Sequence, residues 1–230
     1  MKFGDSFKDI DSLLARDYVN PNELMPMHNQ LHACESLFGD WNARICLLMQ
    51  DAADVDSLIK FHKQTGRPTL SHSPSASTNK RLVEWLSKVE TFRHLDIEGH
   101  HSKTCGLYYA NAVWYLKRKG GMSGVLRQRK RVIEKSRDIL AQTIRQLENL
   151  ELVLAFGEVA YISLQKIFTL ELSWSEARKR SSLIPAQFER KRYHIGVTTH
   201  PMARGVSKDL MEARLQNILT QWQNLVAENN

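Results

Sequence analysis

Short apolar runs that alternate with helical patterns constrain the fold of this chain more than any other feature. The first run, residues 45–49, has five apolar residues in succession and is followed by Gln50 and Asp51. A continuous apolar run of this length is typical of a strand buried on both faces, as strands of parallel sheets are. Strands that alternate with helices indicate a parallel sheet covered by helices on both sides.

The predicted elements fill most of the chain. Strands are expected at residues 45–49, 106–116, 150–156 and 193–199. Helices are expected at residues 6–17, 21–38, 79–89, 125–148 and 158–168, and from Ser207 to near the end. Residues 66–78 contain two prolines and four serines without periodicity, which predicts a loop.

Three of the predicted strands lead into polar side chains that can take part in chemistry. Asp51 follows the first strand, Asn111 is expected at the end of the second, and His200 follows the fourth. The carboxyl ends of parallel strands meet at one edge of a sheet, where ligands bind in such folds. We therefore expect these three side chains to converge on one site.

The net charge of +7 is unevenly distributed along the chain. Residues 117–137 hold nine basic residues and one acidic residue, Glu134, so the rest of the chain is nearly neutral. A basic segment on a nearly neutral protein is typical of a surface that binds a polyanion such as DNA. The alternative is a basic helix whose charged face is simply solvated.

Four stretches of the sequence carry a more specific signal. They read LLMQDAAD (47–54), YYANAVWYL (108–116), LVLAFGEVAYISL (152–164) and THPMARG (199–205). In this order and approximate spacing they resemble the motifs of the uracil-DNA glycosylase superfamily, over about residues 44–205. The resemblance implies an α/β fold, a three-layer α/β/α sandwich with a short, mainly parallel four-stranded sheet.

The length of the chain predicts one domain over residues 1–230. Residues 1–40 are then an N-terminal helical segment, residues 41–205 the core that carries the motifs, and residues 206–230 a C-terminal helix. Asp51 and His200 fall on the catalytic positions of the family, and Asn111 on the asparagine that reads uracil. The expected base-binding residues are Gln50, Ala52 and Asn111, and the expected DNA-binding residues are Lys117, Arg118, Lys119 and Arg204.

Breaking an N-glycosidic bond explains these residue types independently of the resemblance. The sugar gains positive charge and the departing base gains negative charge, so a carboxylate such as Asp51 stabilises the sugar or orients a water molecule. An imidazole such as His200 stabilises the departing base. The amide of Asn111 presents a donor and an acceptor that match the edge of uracil, once the base has left the duplex.

The resemblance is incomplete, and two alternatives stay open. Met49 stands where the family has glycine, Ala52 where it has proline and Met202 where it has serine. The aromatic residue on which the family stacks uracil has no clear counterpart. One alternative is a DNA-binding module on the same fold that is catalytically inactive or repurposed, and the other is an unrelated α/β hydrolase that acts on a small nucleoside.

The cysteine pattern and the N-terminus bear on cofactors and location. The three cysteines, Cys34, Cys46 and Cys105, are widely spaced and form no CxxC pair, which argues against disulfides and structural zinc. No secretory signal or membrane-spanning run is visible. We therefore expect a cytoplasmic monomer without metal or cofactor that acts on single- or double-stranded DNA containing uracil or another damaged base.

Overall fold

The computed structural model of the protein describes residues 9–20, 23, 39–51, 54–65, 77–93, 104–119, 129–203 and 205–228. Its strands are β1 (Tyr18–Val19), β2 (Ile45–Asp51), β3 (Leu107–Val113), β4 (Leu116–Lys117), β5 (Leu152–Phe156), β6 (Ile184–Phe188) and β7 (Lys191–Thr198). Its α-helices are α1 (Val55–Thr65), α2 (Ser77–Leu86), α3 (Arg129–Gln146), α4 (Glu158–Gln165), α5 (Trp174–Ala177) and α6 (Lys208–Glu228). Short 3₁₀ turns lie at Leu14–Arg16 and Glu90–Phe92.

The main sheet has the strand order β3-β2-β5-β7-β6. The first four of these strands run parallel, and the carboxyl ends of β2, β3, β5 and β7 therefore meet at one edge of the sheet. We call this edge the carboxyl edge. The α/β class and the mainly parallel sheet are confirmed. A second, two-stranded sheet joins β1 and β4 in antiparallel register.

The predicted number of four strands is wrong, because the main sheet has a fifth strand. β6 pairs with β7 in antiparallel register at the edge of the sheet. Its sequence, IPAQF, is buried only at alternate positions and includes Pro185, whose missing N–H is tolerated on an edge strand. A short, half-exposed strand of this kind lacks the continuous apolar run that marks the central strands.

Four helices cover the two faces of the main sheet with apolar side chains. On one face, α3 and α4 bury residues such as Ile139, Ile144 and Tyr161 against the sheet. On the other face, α2 and α6 bury Trp85 and Leu215 among others. The three layers place the core on both sides of the central strands β2 and β5, which are largely apolar.

Several predicted boundaries shift in the structure. The expected helix over residues 6–17 is, in its described part, only the 3₁₀ turn at Leu14–Arg16 before β1. The expected helix at 21–38 lies almost entirely outside the described residues, as does most of the loop at 66–78. The helix α1 was not predicted. On α6 the apolar stripe begins at Met211, while Leu210 is 52% exposed.

Among the described residues, none of the helices combines the length and the apolar composition needed to span a bilayer.

Candidate functional site

Asp51 is the last residue of β2 and lies at the carboxyl edge of the sheet. It reaches this position because residues 45–48 are buried and pair with both neighbouring strands, which fixes their register. The pairing of β2 with β5 extends as far as Leu48, while its pairing with β3 continues to Asp51. The carboxylate is therefore held at the end of a rigid central strand.

An ion pair holds the Asp51 carboxylate. The Nζ atom of Lys117 lies 3.1 Å from Oδ1 of Asp51, and the two side chains are 7% and 13% exposed. Lys117 was expected to bind DNA at the surface, and the structure instead places its side chain inside the protein. The lysine ends an apolar run, Trp114 to Leu116, and this context is the signal in the sequence that its charge has an internal partner.

Tyr18 of β1 adds a second buried polar group beside Asp51. Its side chain is almost completely buried, and its hydroxyl has no hydrogen-bond partner among the described residues. Burial raises the pKa of Tyr18, and the negative charges of Asp51 and Asp17 raise it further, so the phenol stays protonated. Sequence reasoning missed Tyr18 because residues 1–40 were expected to form a helical segment, without a strand at this position.

Gly157 brings Gln50 and His200 together at the carboxyl edge. It links β5 to α4 with a φ of +97°, which favours glycine, and its N–H donates to the Thr198 carbonyl at 2.8 Å. A Cβ atom added here would lie 3.1 Å from Nε2 of Gln50 and 3.5 Å from Cβ of His200. Gln50 and His200 therefore approach each other over a residue without a side chain.

His200 lies two residues beyond β7 and is half-buried. Its Nδ1 accepts a hydrogen bond from the backbone N–H of Met202 at 3.2 Å. This bond requires Nδ1 to be unprotonated, so in the neutral ring the proton is on Nε2. Burial lowers the pKa of His200 from its ordinary value of 6.5, and the nearby Asp51 charge opposes this only in part. The imidazole is therefore a neutral donor through Nε2 at neutral pH.

The turn that carries His200 is fixed from outside. The Arg81 guanidinium, on α2, donates to the Pro201 carbonyl, and the Ala203 N–H donates to the His200 carbonyl at 2.8 Å. The buried hydroxyls of Thr198 and Thr199, just before the histidine, have no hydrogen-bond partner among the described residues. Sequence reasoning did not single out Arg81, since nothing in its local pattern indicates a contact 120 residues away.

Asn111 lies deeper in the sheet than predicted. The strand does not end at this residue but continues to Val113, and Asn111 is paired in register with Met49 while Val113 is paired with Asp51. Asn111 is therefore two residues, or about 7 Å along the strand, from the level of Asp51. Its side chain is on the same face as Leu107 and Tyr109, and the residue is 5% exposed.

The remaining predicted site residues are outside this cluster. Arg118 and Lys119 follow β4 and are exposed, and Nε of Arg118 donates to the Ala15 carbonyl at 2.6 Å. Ala52 and Arg204 lie outside the described residues. The structure therefore joins Gln50, Asp51 and His200, and leaves Arg118 and Lys119 on the surface.

A charged groove of about 530 Å³ lies along the first half of α3. The groove is lined by Asp11, Leu14, Lys130, Arg131, Glu134, Lys135, Arg137, Asp138 and Lys166. Arg131 pairs with Asp11 at 3.3 Å and Arg137 with Glu134 at 2.8 Å, and all four side chains are about half exposed. Exposed pairs of this kind are weak, so these cations are able to exchange their partners for phosphates.

Neither a metal-binding cluster among the described residues nor a similarity to known proteins identifies the site. Within the part of the chain that the structure describes, no three His, Cys, Asp or Glu side chains are grouped closely enough to hold a metal ion. Comparison of the chain with protein-family models and with curated proteins gives no match. The chemistry of the site therefore has to be argued from its own residues.

The cluster at the carboxyl edge combines three chemical capacities. The Asp51 carboxylate supplies negative charge beside a developing cation or a water molecule. The Nε2–H group of His200 supplies a neutral donor to a developing anion. The Gln50 carboxamide supplies one donor and one acceptor beside them. Such a site suits the cleavage of a bond whose two halves acquire opposite charges.

The low pKa of His200 makes a prediction about stability. The unfolded chain binds the proton more readily than the folded protein, so this group lowers the free energy of unfolding as the pH drops below 6.5. Above 6.5 the imidazole is neutral in both states and has no such effect. We expect the His200→Gln variant to lose less stability than the wild type between about pH 7.5 and about pH 5.5.

Urea unfolding at the two pH values measures this difference, with the imidazole titration of His200 followed by NMR. Equal losses of stability in the two proteins, or a His200 pKa at or above 6.5, would contradict the burial argument.

Proposed function

We propose that the protein is a DNA glycosylase that flips a uracil-like base out of DNA and hydrolyses its N-glycosidic bond. The observation that carries the proposal is the meeting of Asp51 with a neutral His200 at the carboxyl edge of the sheet, close enough that the Asp51 charge acts on the imidazole. The four motifs that resemble the uracil-DNA glycosylase superfamily support the same activity, because Gln50, Asp51, Gly157 and His200 all belong to them.

The proposed reaction divides the charges of bond cleavage between two residues. As the bond between the sugar C1′ and the base nitrogen breaks, C1′ becomes electron-poor, and the Asp51 carboxylate stabilises it and orients the attacking water. The oxygen of this water bonds to C1′, and Asp51 accepts the proton that the water loses. The bonding electrons leave with the base, whose carbonyl oxygen then accepts a hydrogen bond from Nε2–H of His200. A neutral imidazole suits this role because its Nε2–H group donates a hydrogen bond to the base without transferring the proton.

Base recognition is assigned to Asn111 and Gln50. The Asn111 amide presents a donor and an acceptor that match the O4 and N3–H groups of uracil and mismatch cytosine. Its position below the carboxyl edge suits a flipped base that enters edge first, while the sugar stays level with Asp51. Gln50 lies against Gly157, where the missing side chain leaves room for its carboxamide close to His200.

The exposed cations near the start of α3 are assigned to the DNA backbone. Lys119 and Lys130 are exposed, and Lys130 lines the charged groove. Helix α3 follows β3 and β4 along the chain, and its first turns therefore start from the carboxyl edge of the sheet. Phosphates bound there would place a flipped nucleotide toward Asp51.

A binding-only protein is the second candidate, and one observation favours it. The Asp51 carboxylate is already in an ion pair with the buried Lys117, which is also what a purely structural aspartate does. Such a protein would bind DNA through the same basic surface without releasing a base. Base release from a uracil-containing oligonucleotide separates the two candidates.

We expect the wild-type protein to create alkali-sensitive sites in single- or double-stranded oligonucleotides that contain one uracil. Replacing Asp51 by Asn removes the charge that stabilises C1′, and we expect the single-turnover rate to fall roughly 10²- to 10⁴-fold with DNA affinity largely kept. Asp56→Asn is the matched control. Asp56 is exposed on α1, and this substitution makes the same chemical change outside the site.

The Asp51→Asn variant leaves the Lys117 ammonium buried without its charged partner, so the double variant Asp51→Asn/Lys117→Met is measured beside it to separate folding from catalysis. Wild-type rates in a folded Asp51 variant would contradict the catalytic role. DNA binding without any abasic product in the wild type would contradict uracil as the substrate and would favour the binding-only candidate or a different damaged base.

The proposed DNA surface makes a separate prediction about salt. Replacing both Lys119 and Lys130 by Ala should reduce the slope of log affinity against log salt concentration by about one per lysine, because each phosphate contact releases counterions. Arg190→Ala is the control, since Arg190 is exposed in the turn before β7, at the opposite edge of the sheet. Equal slopes for the wild type and the double variant, measured by fluorescence anisotropy, would exclude this surface.

A further inference from the structure

Lys117 contacts both the last residue of β2 and the residue just before α1. Its ammonium group lies 3.1 Å from Oδ1 of Asp51, at the end of β2. Its backbone forms a parallel bridge with Asp54, next to the start of α1. One residue of β4 therefore contacts both a central strand and the helix that comes after it in the chain.

Each of these two anchor points is itself fixed by other contacts. Lys117 is paired with Tyr18 in the β1–β4 sheet, so its backbone does not move independently. The Asp54 carboxylate accepts hydrogen bonds from the N–H of Ser57 at 2.8 Å and from its hydroxyl at 3.0 Å, which caps the first turn of α1. Lys117 therefore connects a central strand, a capped helix and the β1–β4 sheet.

Burial restricts the relative positions of the Lys117 ammonium and the Asp51 carboxylate. An exposed lysine has many rotamers and contributes little through an ion pair, but the Lys117 side chain is 7% exposed and its charge has to remain near Asp51. A carboxylate that is bound in this way cannot rotate freely. The same burial argues against direct contact between Lys117 and a DNA phosphate.

We propose that Lys117 is a positioning residue that orients the Asp51 carboxylate for catalysis and joins the end of β2 to the start of α1. This proposal rests on the proposed glycosylase activity and assigns Lys117 a part in it that is separate from DNA binding. Lys117 touches neither the base nor the sugar in this account, and acts only through Asp51 and the backbone at Asp54.

The test compares Lys117→Met and Lys117→Arg with the wild type on the uracil oligonucleotide. We expect Lys117→Met to lower the single-turnover rate at saturating protein by roughly 10- to 100-fold, because a small displacement of a catalytic group has this effect. The affinity for DNA and its salt slope should stay as in the wild type. Lys117→Arg keeps the charge with a different geometry, and its rate should lie between the other two.

A double-mutant comparison separates positioning from general damage to the fold. Once Asp51 is replaced by Asn, adding Lys117→Met should not lower the remaining rate further, because Lys117 acts through the carboxylate. If Lys117→Met does not fold, as judged by thermal unfolding, the rate of Lys117→Arg and its unchanged salt slope decide the question in the same way.

Three results would overturn the proposal. A wild-type rate in the folded Lys117 variants would exclude positioning while leaving the glycosylase activity in place. A salt slope reduced by about one in Lys117→Met would assign Lys117 to a phosphate instead. Absence of base release by the wild type itself would remove the proposed function, and the role of Lys117 with it.

Discussion

The parallel pairing of β3, β2, β5 and β7 is the constraint on which the candidate site depends. It makes the carboxyl ends of these strands meet at one edge, so that Asp51 and His200 become neighbours although 148 residues of sequence separate them. The pairing is firm because β3, β5, most of β2 and the second half of β7 are buried between helices on each side. A site built on such strands inherits their rigidity, and this pre-orients its polar groups.

Within this framework, backbone geometry and burial determine the chemical state of the polar groups. Gly157 turns away from β5 with a positive φ and leaves room for Gln50 beside His200. The Met202 N–H selects the tautomer of His200, and burial keeps the ring neutral. The buried Lys117 compensates the charge of Asp51. Each of these effects comes from a local contact, and together they create a site with one fixed anion and one neutral donor.

The apolar strands and their polar ends could be predicted from the sequence, but the contacts between distant segments could not. Residues 45–49 and 152–156 carry enough apolar residues to mark central strands, and the positions of Asp51 and His200 follow from the alternation of strands and helices. β6 escaped prediction because an edge strand with Pro185 lacks this pattern. The partner of Lys117 could not be predicted because an ion pair between residues 66 positions apart leaves no pattern in the local sequence. Asn111 was predicted too near the strand end because the sequence does not show the register in which β3 pairs with β2.

NMR of the protein labelled with ¹⁵N-histidine can show whether His200 donates to a flipped base beside Asp51. The ligand is an oligonucleotide with one 2′-fluoro-2′-deoxyuridine, whose fluorine slows cleavage by disfavouring positive charge on the sugar. We expect the Nε2–H resonance of His200, assigned with His200→Gln, to shift on binding. The matched oligonucleotide with 2′-fluoro-2′-deoxycytidine should leave it in place. No shift at His200 with the uracil oligonucleotide, or equal shifts with both, would exclude this hydrogen bond.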